Sequence, residues 1–134
     1  MFTALVGSVL VLFSLNISIF AKKQRRRTQT AYGSGDDKVL SAAVTAHSNF
    51  ISYTPLFLIT LYFLEVTFKA SYILVLCLGL AFIISRILHF YGVCYSEQQS
   101  TPNFKFRIAG MMLTFSSLLV TALLNIYFLF KELI

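Results

Sequence analysis

From Phe2 to Ala21 the chain runs for twenty residues without an Asp, Glu, Lys or Arg, and from Val39 to Leu64 it does so for another twenty-six. A helix of about 20 residues rises about 30 Å, the thickness of a bilayer's hydrocarbon core. Hydrocarbon offers no partner to backbone N–H and C=O groups, so each such run has to satisfy its own and is read as a helix. Two more runs follow, at about 70–91, where Arg86 is the one charge, and at about 106–130, where Arg107 is. The chain is therefore read as one domain, an all-α membrane protein folding as a four-transmembrane-helix bundle with spans at about 2–21, 39–64, 70–91 and 106–130.

Composition bears on the class of partner. Hydrophobic residues make up 57% and charged residues 12%, against roughly half and a quarter in a soluble domain. The net charge of +6 could suggest nucleic acid, but five of the eleven Lys and Arg fall between Lys22 and Arg27, directly behind the first span. A basic burst in that place is an orientation signal or a lipid-headgroup contact, so membrane lipid is the expected partner and nucleic acid is not. A cleaved signal peptide carries its positive charge before the apolar run. Here the charge follows, so the first helix is read as retained.

Nine of the cations, Arg86 included, fall on the side of the first and third loops, against Lys69 and Lys131 on the other. That bias predicts loops one and three in the cytoplasm and both termini outside. Asp36 or Asp37 is placed to cap the second helix. The polar stretch "RRRTQTAYGSGDDK" reads as a mobile hairpin. With Asp36, Asp37 and Glu97 the acids on that side, a pocket there is expected to be electropositive.

Inside the second span lies "TAHSNFISYTPL", 45–56. Residues three and four apart share a helix face, so Thr45, Asn49, Ser52 and Tyr53 form one stripe. Arg86 and His89 stand three apart in the third span, and Arg107, Met111, Thr114, Thr121 and Asn125 line the fourth. Ser and Thr within membrane helices commonly join one helix to the next, and Ser48, Thr54, Thr114 and Thr121 are read that way. Pro55 deprives the Ile51 carbonyl of its helical donor. Arg86 is different: a buried arginine costs several kcal/mol unless it snorkels or finds a partner, and with few acids near, an anion from solution is the expected partner.

Other chemistries are poorly served. His47 and His89 lack the Cys, Asp or Glu that would complete a metal site, so no metal is expected. Cys77 and Cys94 are seventeen residues apart on one helix, about 25 Å, too far for a bridge. Cys94 and His89, five apart, face different ways and make a poor nucleophile–base pair. A small proton-coupled transporter would need a carboxylate within a span, and none of the spans holds one.

Three segments together, "AHSNFISYTPLFL" at 46–58, "SRILHFYG" at 85–92 and "FRIAGMMLTF" at 106–115, resemble the MAPEG superfamily, the membrane-associated proteins in eicosanoid and glutathione metabolism. The likeness covers essentially the whole chain and is nearest to the small bacterial inner-membrane branch. It implies a homotrimer in the inner membrane, with glutathione as co-substrate bound at the cytoplasmic side between adjacent protomers. It also implies that lipophilic substrates reach the site from the bilayer. Matched position by position, Asn49, Tyr53, Arg86 and His89 fall on the ligand-binding positions, His89 where eukaryotic members often carry tyrosine. Arg107 falls at the place of the arginine that holds the glutathione thiolate, the catalytic position. Two places depart from the pattern: Thr45 stands where members carry arginine and Ser52 where they carry glutamate, and Lys38 is about 10 Å too far down the helix to stand in for Thr45. The resemblance therefore implies a glutathione-dependent transferase or peroxidase acting on lipophilic electrophiles. The alternative is a non-catalytic lipid- or amphiphile-binding membrane protein of the same fold.

Overall fold

A computed structural model describes residues 1–134. Four long helices carry the chain: α1 (Phe2–Thr28), α2 (Lys38–Tyr62), α3 (Tyr72–Cys94) and α4 (Lys105–Leu133). All four are long and apolar enough to cross a membrane.

The first helix does not stop at Ala21. It runs on through the basic burst to Thr28, where Gln29 turns left-handed (φ 53°) and donates its N–H to the Arg25 carbonyl. Lys, Gln and Arg are good helix formers, and cations suit the negative end of the helix dipole, so the burst extends the helix instead of ending it.

Asp37 is the N-cap of α2 and accepts the Leu40 N–H at 2.7 Å. The helix passes through Pro55 and closes in a π turn, Phe63–Thr67, with Lys69 at φ 49° just beyond. That turn presents Glu65 to the start of α1, where its carboxylate accepts the N–H groups of Phe2 and Thr3 at 2.5 and 2.8 Å. One acid thus satisfies two of the open donors of a helix start 62 or 63 residues away and suits its positive dipole end.

Where α3 meets α4 the backbones touch. A Cβ added at Gly92 would lie 2.4 Å from the Arg107 nitrogen, and one at Gly110 would lie 2.6 Å from the His89 nitrogen. Small residues that let backbones approach are how helices associate in lipid, where burial of apolar surface gives little drive. The middle of the bundle holds Leu10, Phe50, Phe57, Leu61, Val75 and Phe82. Phe57 and Phe82 are fully buried and stack with ring centroids 3.9 Å apart. The outward faces are apolar too, with Leu12, Leu119 and Tyr127 among many exposed side chains. A surface like that belongs in hydrocarbon.

The loop between α1 and α2 and the loop between α3 and α4 stand at one end of the bundle, where residues of both line a common cleft. The first is pinned: Arg25 Nη1 donates to the carbonyls of Ala31 and Gly33 at 3.2 and 2.9 Å, and Arg27 pairs with Asp37 at 2.6 Å.

Candidate functional site

Arg86 is 2% exposed. It neither snorkels nor reaches an acid. Nη1 donates to Asn49 Oδ1 at 2.7 Å, Nη2 donates to the Thr114 hydroxyl, and Nε reaches Ser85 Oγ at 3.3 Å. The guanidinium also lies over the rings of Phe82 and Tyr53, at 5.4 and 5.9 Å from their centroids. Each partner is placed by its own helix. Thr114 donates to the Gly110 carbonyl at 2.7 Å and Ser85 to the Phe82 carbonyl at 2.6 Å, which leaves both oxygens free to accept. Asn49 turns its other end to Met111 Sδ at 3.4 Å. Hydrogen bonds to a charged donor contribute about 1.5–3 kcal/mol each, so several of them offset the burial of one cation. The expected anion from solution is replaced here by neutral oxygens from α2, α3 and α4.

Arg107 lies elsewhere. Its backbone is level with Gly92, six residues beyond Arg86 and so about 9 Å along α3. Its side chain is 44% exposed and pairs with Glu97 at 3.0 Å. This pair lines an open cleft of about 420 Å³ at the loop end, together with Asp36, Asp37, Lys38 and Thr45. The expected electropositive pocket is not what forms. All three acids of this end line the cleft, and two of them are already paired with arginines. The Arg27 guanidinium, with the Leu40 N–H, holds the Asp37 carboxyl below its ordinary value of 3.8. Of the basic burst, none lines this cleft.

Thr45 also belongs to a second hollow, a notch of about 410 Å³ on the outer face of α2 lined with Ser48, Asn49, Ser52 and Tyr53. Cleft and notch therefore meet at Thr45. Asn49 joins the notch to the buried arginine, and Tyr53 packs edge-on against Phe115 with centroids 5.5 Å apart. Thr45, Ser48 and Ser52 are exposed on the surface of the chain.

The structure thus brings Asn49, Tyr53 and Arg86 into contact. His89 is 5% exposed, one turn from Arg86, with its backbone against Gly110. Arg107 stands apart at the cleft. His47 lies on the α1 side of α2, with Nε2 3.0 Å from Ser18 Oγ. Ser85, Thr114 and Glu97, which hold the two arginines, were not among the expected site residues. Ser85 adjoins Arg86 in sequence and Thr114 lies on the polar line of α4, so both carried a signal. Glu97, ten residues before Arg107, carried none that a helical period could reveal.

The sequence profile of the MAPEG family matches residues 3–127. The chain is similar to inner membrane protein YecN of Escherichia coli strain K12, 26% identical over 134 residues, which is 100% of this chain and 97% of that protein. The same figures hold for YecN of Escherichia coli O6:H1 strain CFT073. With four membrane-length helices, the three motif segments in chain order and a profile match over nearly its whole length, the chain belongs to the MAPEG family.

Proposed function

We propose that the protein binds glutathione in the cleft at the loop end and uses it as co-substrate in a transferase or peroxidase reaction on lipophilic electrophiles. The observation that carries this reading is the position of Arg107. It is the one arginine that reaches the cleft, its side chain is half exposed, and its partner Glu97 is an acid that an incoming anion can displace.

A guanidinium within about 4–6 Å lowers a thiol's pKa by about 1–3 units, because it favours the charged form. The thiol proton leaves to water, and the thiolate is the nucleophile. In the transferase case sulfur donates its electron pair to form the carbon–sulfur bond, and the leaving group departs with its electrons. In the peroxidase case sulfur attacks the O–O bond, giving an alcohol and a sulfenic acid that a second glutathione reduces. Asn49 and Tyr53, on the wall of the adjoining notch, orient the peptide by hydrogen bonds. His89 and Arg86 act from behind this wall, Arg86 by fixing Asn49. The electrophile enters from lipid past Tyr91, Phe106 and Phe115, all exposed.

A homotrimer completes this reading. The Ser52 hydroxyl donates to the Ser48 carbonyl at 2.9 Å, but Thr45 and Ser48 also face outward at membrane depth, where lipid gives a hydroxyl no partner and a neighbouring protomer does. The charge bias supports a cleft on the cytoplasmic side, and the likeness to YecN supports the inner membrane. The test is turnover of purified protein with glutathione and a panel of lipophilic electrophiles. Conjugate or alcohol product that is lost in Arg107→Ala supports the reading, and its absence across the panel contradicts the catalytic part.

One observation favours the second reading, a non-catalytic binder of a lipid or small amphiphile. Three of the five charged side chains at the cleft, Asp37, Glu97 and Arg107, are paired within the chain, and hydroxyls stand at 45 and 52. Native mass spectrometry separates the two: co-purified amphiphile with no glutathione adduct supports this reading, and a glutathione adduct on delipidated protein contradicts it.

A further inference from the structure

The basic burst behind the first span is not used uniformly. Arg25 turns inward and holds the loop carbonyls of Thr30, Ala31 and Gly33. Arg27 bonds Gln24 and pairs with Asp37. Lys22, Lys23 and Arg26 are exposed, and none of the ion pairs in the protein includes them.

Their placement on the helix is specific. At 100° per residue, Lys22, Arg26 and Lys23 fall at about 0°, 40° and 100° around α1. On the same scale Leu15, Ile19 and Leu12 fall at about 20°, 60° and 80°, and these three are 54%, 65% and 63% exposed. The free cations therefore continue the lipid-facing stripe of α1. Arg27, at about 140°, falls beside Phe20, at about 160°, on the edge of the stripe that turns to the bundle. In depth, α1 is 27 residues long, about 40 Å against about 30 Å of hydrocarbon. Lys22 and Arg26 stand about 5 and 10 Å beyond Ile19 along the axis. That is the layer where headgroup phosphates lie, and long basic side chains snorkel within it.

We infer that Lys22, Lys23 and Arg26 form a docking surface for the headgroups of anionic phospholipid in the leaflet at this end of the bundle. Charge complementarity identifies the occupant: three unpaired cations in one arc, with an apolar stripe beneath them for the acyl chains, match a phosphodiester with its hydrocarbon tails. A soluble anion would not need the stripe.

The test uses the full chain in nanodiscs of phosphatidylcholine containing phosphatidylglycerol, with the lipids retained after mild extraction counted by native mass spectrometry. Phosphatidylglycerol is expected to be enriched among the retained lipids over its share in the disc, and the enrichment is expected to fall as salt rises from 50 to 500 mM. Each cation removed weakens the preference about fivefold, so Lys22→Gln with Lys23→Gln and Arg26→Gln together reduce it about a hundredfold. Lys22→Arg with Lys23→Arg keeps it, and Arg27→Gln leaves it unchanged. The wild-type salt dependence does not rely on any variant inserting correctly. Equal retention of both lipids by the wild type overturns the inference and leaves the burst as an orientation signal alone. Displacement of phosphatidylglycerol by millimolar inorganic phosphate overturns it in favour of a free-phosphate site.

Discussion

Arg86 Nη1 donates to Asn49 Oδ1 at 2.7 Å, so a guanidinium on α3 is held by an amide on α2 while Thr114 holds it from α4. Three helices meet at one buried cation, and the same asparagine lines the notch beside the cleft. A change at either residue should therefore register in stability before it registers in chemistry. Asn49→Ala leaves one donor of a buried charge without an acceptor and is expected to cost about 1–3 kcal/mol. Arg86→Lys is expected to be costly too, since an ammonium cannot reproduce a fork directed at three acceptors. Thermal unfolding in detergent checks both. Unchanged midpoints would show that the contact adds nothing to the fold.

A Cβ added at Gly92 would lie 2.4 Å from the Arg107 backbone nitrogen, whereas one added at Gly79 would lie 2.4 Å from the side chain of Val6. Gly92→Ala must push two helix axes apart, and overpacking of this kind costs about 1–3 kcal/mol. Gly79→Ala has only a side chain to displace. The expected order is a larger loss of thermal stability at position 92 than at 79, with glutathione affinity lowered only by the change at 92. The reverse order would contradict the close approach of α3 and α4.

Four spans could be read from the sequence because lipid imposes one rule on every backbone group, and charge-free length reports it directly. The Asp37 cap could be read for a similar reason, being a local rule. The alignment of Asn49, Tyr53 and Arg86 was half legible. Helical spacing put Asn49 and Tyr53 on one face of the second helix, and the resemblance joined Arg86 to them, but periodicity gives a face, not what the face meets, so the arginine was expected to take an anion from solution when it is packed against neutral oxygens inside. Glu65 at the start of α1 and Glu97 beside Arg107 were not legible. Each depends on how helices dock across the bundle or on an irregular loop, and neither leaves a repeat in the sequence. The extension of α1 to Thr28 was hidden because charge was taken as the end of the helix, although only the hydrocarbon ends there.

The Asp37 carboxyl gives a pH dependence whose sign is fixed. The Arg27 hydrogen bond is the largest influence and lowers its pKa below 3.8 in the folded protein. A lowered folded value means that the contribution is present above the unfolded value of about 4. It is lost as pH falls through the lower folded value. Wild type should therefore be more stable than Asp37→Asn at pH 7, with the gap closing in strong acid. Unfolding midpoints of the two proteins as a function of pH check this, and a gap that widens in acid would contradict it.

The Glu97–Arg107 pair separates binding from stability. Arg107 is 44% exposed but Glu97 only 11%, so Glu97→Gln, which keeps an acceptor facing Arg107, should leave the unfolding midpoint nearly unchanged, whereas Arg107→Ala leaves a largely covered carboxylate without its partner and is expected to cost about 1–3 kcal/mol. Their effects on ligand should be opposite. Glu97→Gln frees the guanidinium and is expected to tighten glutathione binding, whereas Arg107→Ala weakens it. Equal effects of the two variants, measured by calorimetry, would remove Arg107 from the site.

The most direct measurement is a glutathione titration on detergent-solubilised protein, run on wild type, on Arg107→Ala and on Thr45→Arg with Ser52→Glu. Saturable binding by the wild type that is weakened about tenfold or more in Arg107→Ala and strengthened in the double variant is the predicted result. No saturable binding by any of the three, with the fold intact by thermal unfolding, would contradict a glutathione site in the cleft.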